Sequence, residues 1–119
     1  MDIRVQDRDG LKIAELVGDI DGKTASGVLD ALAPIVSTGK GMIVDMSGVG
    51  YMSSAGLRML LTLYRQAAAS KSLLVLVGLS EEIKETMDTT GFLTHFILAG
   101  DIQTGMQAIK NEGRRDGTD

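Results

Sequence analysis

The apolar positions of this chain change period along its length, from two to about 3.6 and back again. Ile3-Arg4-Val5 alternates apolar with polar, the pattern of a strand, and Asp9-Gly10 supplies a tight hairpin turn after it. A second strand is expected over residues 11–17, and Gly18-Asp19-Ile20-Asp21-Gly22 breaks it. From Lys23 onward Val28, Leu29, Leu32, Ile35 and Val36 recur at helical spacing, with Gly39 and Gly41 beyond the end. Pro34 falls inside that run, so the helix is expected to kink or stop early there. Met42-Ile43-Val44 is a short unbroken apolar run, the form taken by strands buried on both faces.

Further on, Leu57, Leu60, Leu61, Tyr64, Ala67 and Ala68 make one apolar stripe of a helix. Residues 73–77, all Leu or Val, read as the clearest strand of the chain. Ser80 is placed to cap a helix with Glu81 and Glu82 in its first turn, Ile83 and Met87 inside, and an end before Gly91. Phe92-Leu93 and Phe96-Ile97-Leu98 give a turn and a short last strand. Asp101 then caps a final helix through Ile102, Met106 and Ile109. The order ββαβαβαβα predicts one α/β domain: a mixed, mostly parallel sheet of about five strands with about four helices, led by an antiparallel pair. Val44, Leu57, Leu60, Leu61, Leu74, Leu76 and Ile83 are expected in one core. The domain spans 1–111, and the polar stretch with Gly113, Arg114, Arg115 and Gly117 marks 112–119 as a flexible C-terminal tail.

Composition narrows the function classes. The 119 residues suit one domain, and 44% hydrophobic with 24% charged is close to an ordinary soluble globule. Only 3% are aromatic, so the core is aliphatic, helped by seven Met. Bases have too few rings to stack on, and a net charge of −4 offers no footprint for a phosphate backbone, so no direct nucleic-acid partner is expected. Without cysteine there is no disulfide or Cys-based metal site. No basic stretch precedes an apolar run at the N-terminus, and no apolar segment reaches about 18 residues. The expectation is a soluble, cytoplasmic protein with no membrane partner.

Enzyme signatures are sparse. His95 is the single histidine and lies among Phe92, Leu93, Phe96 and Ile97, a setting more usual for a packed or strand-edge imidazole than a catalytic one. Nothing in the spacing brings it to Ser53 or Ser54 for a triad, and Met52 occupies the first glycine position of a nucleophile elbow around Ser54. The glycine-rich phosphate fingerprints are absent, and the 15 glycines fall singly at turns and element ends. Asp19 with Asp21, and Glu81 with Glu82, lack grouped third and fourth ligands and read as capping or solvated acids. No catalytic residue, metal ligand or cofactor is assigned.

One junction stands out. Met42-Ile-Val-Asp45-Met-Ser47-Gly-Val-Gly-Tyr51-Met52-Ser53-Ser54-Ala55-Gly56-Leu57 runs from a buried strand through a polar loop to a helix start. A helix N-terminus presents unpaired N–H groups and the positive end of a dipole, so a phosphate placed there is stabilised. A serine at that point is therefore either a charge switch or, more commonly, a plain N-cap.

That loop, followed by an amphipathic helix, resembles the signature of the STAS domain, and more specifically the bacterial anti-sigma factor antagonists. The likeness covers nearly the whole chain. Val17-Gly18-Asp19-Ile20-Asp21 is similar to the family's turn after its second strand, and Thr90-Gly91-Phe92 to its segment before the last strand. In that family the loop reads Met-Asp-Ser-Ser/Thr-Gly-Leu, and the serine after the aspartate is phosphorylated by an anti-sigma factor that is also a kinase. The resemblance thus implies Ser54 as phosphoacceptor. Ser53 stands where the family carries an aspartate, which leaves it as a rival acceptor, and Ala55 stands where a second hydroxyl is usual. Asp45 matches the family and is expected either at the partner surface or orienting the loop.

The resemblance implies partner switching, a role in transcription control and not an enzyme. Unmodified, a surface of Asp45, Ser47, Met52, Ser53, Ser54, Gly56 and Arg58 would dock on an anti-sigma factor serine kinase of the GHKL type, which uses ATP and magnesium itself, and displace its sigma factor. Phosphate would add about −1.5 to −2 charges close to Asp45 and release the complex, and a phosphatase would reverse it. Three alternatives remain: a STAS scaffold that binds without phosphorylation, favoured by Ser53; a small nucleotide-binding module using the Ser54–Gly56 helix start; and a small hydrolase using Ser54.

Overall fold

Asp9 and Gly10 both take positive φ, 56° and 83°. That is the backbone a two-residue hairpin turn needs, and it folds β1 (Asp2–Arg8) back along β2 (Leu11–Val17). The pair is antiparallel from Asp2 against Val17 to Arg8 against Leu11. The chain then alternates: α1 (Ala25–Val36), β3 (Gly41–Gly48), α2 (Ser54–Ala69), β4 (Leu73–Val77), α3 (Glu81–Thr89), a 3₁₀ turn over Phe92–His95, β5 (Ile97–Ala99) and α4 (Ile102–Gly117). This computed structural model describes residues 1–38 and 40–117, with side chains through Glu112. Gly39, expected just past the first helix, and Thr118 and Asp119 of the expected tail lie outside the described residues.

The five strands stand in the order β1-β2-β3-β4-β5, parallel from β2 onward. Alternation along each strand sends side chains to two separate cores. Met42, Val44 and Met46 of β3 pack with Leu32 of α1, Leu60 and Leu63 of α2, and Ile83 and Met87 of α3. Ile43, Val75 and Val77 face the other way, onto Met106 and Ile109 of α4. The sheet is therefore covered by three helices on one face and one on the other. No helix among the described residues is long and apolar enough to cross a membrane.

Three expectations are corrected. Pro34 does not end α1, which runs on to Val36; near a helix end the missing N–H leaves only one carbonyl without its partner. β3 continues past Val44 to Gly48, carrying Asp45 and Met46 into the sheet. The inner face of α2 consists of Gly56, Leu57, Met59, Leu60, Leu63 and Ala67, whereas Leu61 is half-buried outside both cores and Ala68 is exposed. The cause is α1, which lies alongside α2 across a groove lined by Leu29, Ala55 and Met59 and draws that flank inward. The last helix, α4, runs from Ile102 through Gly117.

Candidate functional site

The serine junction sits where β3 leaves the sheet at its carboxyl end. Val49 N donates to Met46 O (3.0 Å), turning the chain out, and the loop is then tied to the turn after β2. Ile20 N donates to Tyr51 O (2.9 Å) and Ser53 N donates to Ile20 O (2.8 Å), while Met52 pairs with Ile20 in an isolated parallel bridge. The turn after β2 is itself fixed. Thr24 Oγ1 donates to Asp19 O (2.8 Å), and Asp21 Oδ1 accepts from Lys23 N (2.9 Å) and Thr24 N (3.1 Å). The bond from Lys23 N is the main reason the Asp21 carboxyl titrates below its ordinary 3.8; those from Thr24 add to it and partial desolvation opposes it.

Gly56 makes this close approach possible. A Cβ there would run into Met52 Cγ, come within 2.9 Å of Ile20 Cγ2 and 3.2 Å of Ile20 O. Gly56 is buried and Met52 is 8% exposed, so these two build the wall of the site from inside.

The two serines do different work. Ser53 is the N-cap of α2, with extended backbone, and its hydroxyl accepts from Gly56 N across a long 3.4 Å. It is half-buried. Ser54 is the first residue of the helix and exposed, and among the described residues its hydroxyl takes part in no hydrogen bond. Arg58 is exposed on α2 four residues further on, a neighbour of Ser54 on the helical surface. Tyr51, just before the serines, is 55% exposed.

Asp45 does not share this face. It lies opposite Val77 in the β3–β4 ladder, and Val77 faces α4, so the carboxylate belongs to the α4 side while Ser54 opens a helix of the other side. Asp45 Oδ1 accepts from Ser47 N (3.0 Å) and orients the strand exit. Ser47 is exposed there, packed closely enough that a Cβ on Gly78 would meet Ser47 Cβ at 2.9 Å. Asp45 and Ser54 thus leave the carboxyl end of β3 toward different layers. The exposed members of the site residues named from the sequence are Ser47, Ser54 and Arg58. Tyr51 and the 19–21 turn were missed as site residues. The turn after the second strand and an aromatic directly before the serines were the signals.

His95 stands apart. Its ring packs on Tyr64 with centroids 5.6 Å apart, and Tyr64 is ten residues down α2 from Ser54, about 15 Å along the axis. No base reaches Ser54 Oγ from there. Among the described residues no group of three His, Cys, Asp or Glu is placed to hold a metal.

Comparison with known proteins bears on this site. The model of the STAS domain family matches residues 2–105. The chain is 33% identical over 103 residues to BtrV of Bordetella bronchiseptica, named as a candidate anti-sigma factor antagonist, covering 86% of this chain and 89% of that one. It is 33% identical over 92 residues to the anti-sigma-B factor antagonist of Listeria monocytogenes, covering 76% and 80%. The crystal structure of an anti-sigma factor antagonist from Mycobacterium paratuberculosis superposes with a TM-score of 0.83 at 23% identity, over 92% of this chain and 93% of that one.

Proposed function

The chain belongs to the STAS domain family, and from that premise we propose that it is an anti-sigma factor antagonist switched by phosphorylation of Ser54. The observation that carries the reading is the division of labour at the start of α2. Ser53 spends its hydroxyl on the cap, and Ser54 holds its own free and exposed at the first helical position. A phosphate there meets the unpaired N–H groups and positive dipole end of α2, with Arg58 one turn away for a charge-assisted bond. The fold tolerates the charge, and the penalty falls on docking.

The partner is a GHKL-type anti-sigma serine kinase that brings its own ATP and magnesium, with a phosphatase to restore the free serine, all in the bacterial cytoplasm. It docks on Ser54, Arg58 and Tyr51, over a wall set by Met52, Gly56 and the 19–21 turn, while Ser47, like Asp45, points to the α4 side. An interface fitted to a neutral hydroxyl meets unpaired charge after phosphorylation, and a few kcal/mol is enough to release it, since ~1.4 kcal/mol is a tenfold change in affinity. The serine at position 53, in place of the family's aspartate, favours one second reading, a STAS scaffold that docks without phosphorylation.

Incubation with ATP and an extract of the source bacterium, followed by intact mass and fragment mapping, separates the two. One phosphate on Ser54, lost in Ser54→Ala and kept in Ser53→Ala, supports the switch. Phosphate that survives in Ser54→Ala and vanishes in Ser53→Ala moves the acceptor to Ser53, and no phosphate at all favours the scaffold.

A further inference from the structure

One edge of the sheet is left open along a full strand. β1 is the outermost strand, and six of its seven residues are exposed, with only Ile3 half-buried. The opposite edge strand, β5, is three residues long. The two-residue turn at Asp9 and Gly10 makes Arg8 and Leu11 a hydrogen-bonded pair, and alternation carries that pattern along the hairpin. Asp2, Arg4, Gln6 and Arg8 therefore turn their backbone N–H and C=O toward β2. Those of Ile3, Val5 and Asp7 point outward, a template for another strand. Apolar exposure gathers at the same place. Met1, Val5 and Val17 are three of the four large apolar side chains exposed among the described residues, and Val17 lies opposite Asp2.

The charges on β1 decide which strand fits. The segment carries Asp2, Arg4, Asp7 and Arg8, so it is neutral within a chain of net charge −4 and does not repel its own copy. Asp7 is held by Lys12 at 2.7 Å, whereas Asp2 and Arg8 are in no ion pair among the described residues. A second β1 laid antiparallel must match outward-pointing residues with outward-pointing ones. Centred on Val5 against Val5, the pairing joins Ile3 to Asp7 of the second copy and sets Asp2 directly opposite Arg8 at both ends. Moving the centre to Arg4 puts Arg4 against Arg4, and moving it to Gln6 puts Arg4 against Arg8. Like charges directly opposite are destabilising, so charge selects the Val5 register.

We propose that β1 is a self-association edge, through which two copies of this chain pair antiparallel about Val5 into one continuous sheet. The contact uses the same residues on both copies, so it consumes the long edge of each and closes as a dimer. It rests on the sheet edge and not on the Ser54 reading, and either stands if the other fails.

The test is sedimentation equilibrium of the full chain from micromolar to millimolar concentration, with amide hydrogen exchange at both ends of that range. A monomer–dimer equilibrium is expected, with the amides of Ile3, Val5 and Asp7 protected only at the concentrated end. Asp2→Arg and Arg8→Asp should each weaken the dimer at least about tenfold by setting like charges opposite at both ends, with the melting temperature unchanged. Mixing the two variants, or combining the substitutions in one chain, restores opposite charges and should recover dimerisation. A chain still monomeric at millimolar concentration, or a dimer with those three amides unprotected, would overturn the proposal. So would single reversals that leave the affinity unchanged, or a mixture that binds no tighter than either variant alone.

Discussion

Ser53 and Ser54 are adjacent, yet one hydroxyl is structural and the other is available. Ser53→Ala should cost about 0.5–2 kcal/mol as caps do, at the low end because its bond to Gly56 N is 3.4 Å long, with docking preserved. Denaturant melts check this, and a loss well above that range would mean the hydroxyl does more than cap. Tyr51, exposed beside the serines, has the character of an interface anchor, so Tyr51→Ala should weaken the kinase complex at least about tenfold at unchanged stability. Two further acids are readable as caps from their neighbours. Asp21 accepts from Lys23 N and Asp101 accepts from Thr104 N (2.8 Å), and each carboxyl titrates below its ordinary 3.8, mainly because of that bond. A carboxyl whose folded pKa is depressed stabilises the fold fully above its unfolded value and loses that contribution as pH falls through the folded one. Melting temperature should therefore drop below about pH 4, and Asp101→Asn, which keeps a cap without the charge, should flatten part of that limb. An unchanged acid limb in Asp101→Asn would detach it from this cap.

The elements themselves were legible, since their order depends on local period, caps and turns, all written within a few residues. Which way a helix faces was less so. From Leu57 the spacing fits a stripe through Leu61 and Tyr64 as well as one through Met59 and Leu63. The choice between them is made by α1, a neighbour distant in sequence. Leu63→Ala should then cost about 2–5 kcal/mol in denaturant melts, and Leu61→Ala clearly less; the reverse ranking would return the buried face to Leu61. Gly56 is legible only once α2 is docked, because its neighbours Met52 and Ile20 come from the loop and from the turn after β2. Gly56→Ala should cost about 1–3 kcal/mol through overpacking, visible as a lowered melting temperature.

At the scale of the molecule, the two faces of the sheet separate what the sequence had put side by side. Asp45 and Ser54 are nine residues apart in one motif, yet alternation along β3 sends the carboxylate toward α4 while Ser54 opens a helix on the opposite layer. A linear reading finds the loop but not its sidedness, nor the turn at residues 19–21 that clamps it through Ile20. In the proposed switch the phosphate charge would then act on the partner, across the surface that carries Ser54, Arg58 and Tyr51. The most direct test is calorimetry of wild type and Ser54→Asp against a purified GHKL-type anti-sigma kinase, beside thermal melts of both. An acid at a helix start is tolerated, so the melting temperature should stay the same while affinity falls at least tenfold, ~1.4 kcal/mol. Equal affinities in two equally stable proteins would contradict the switch.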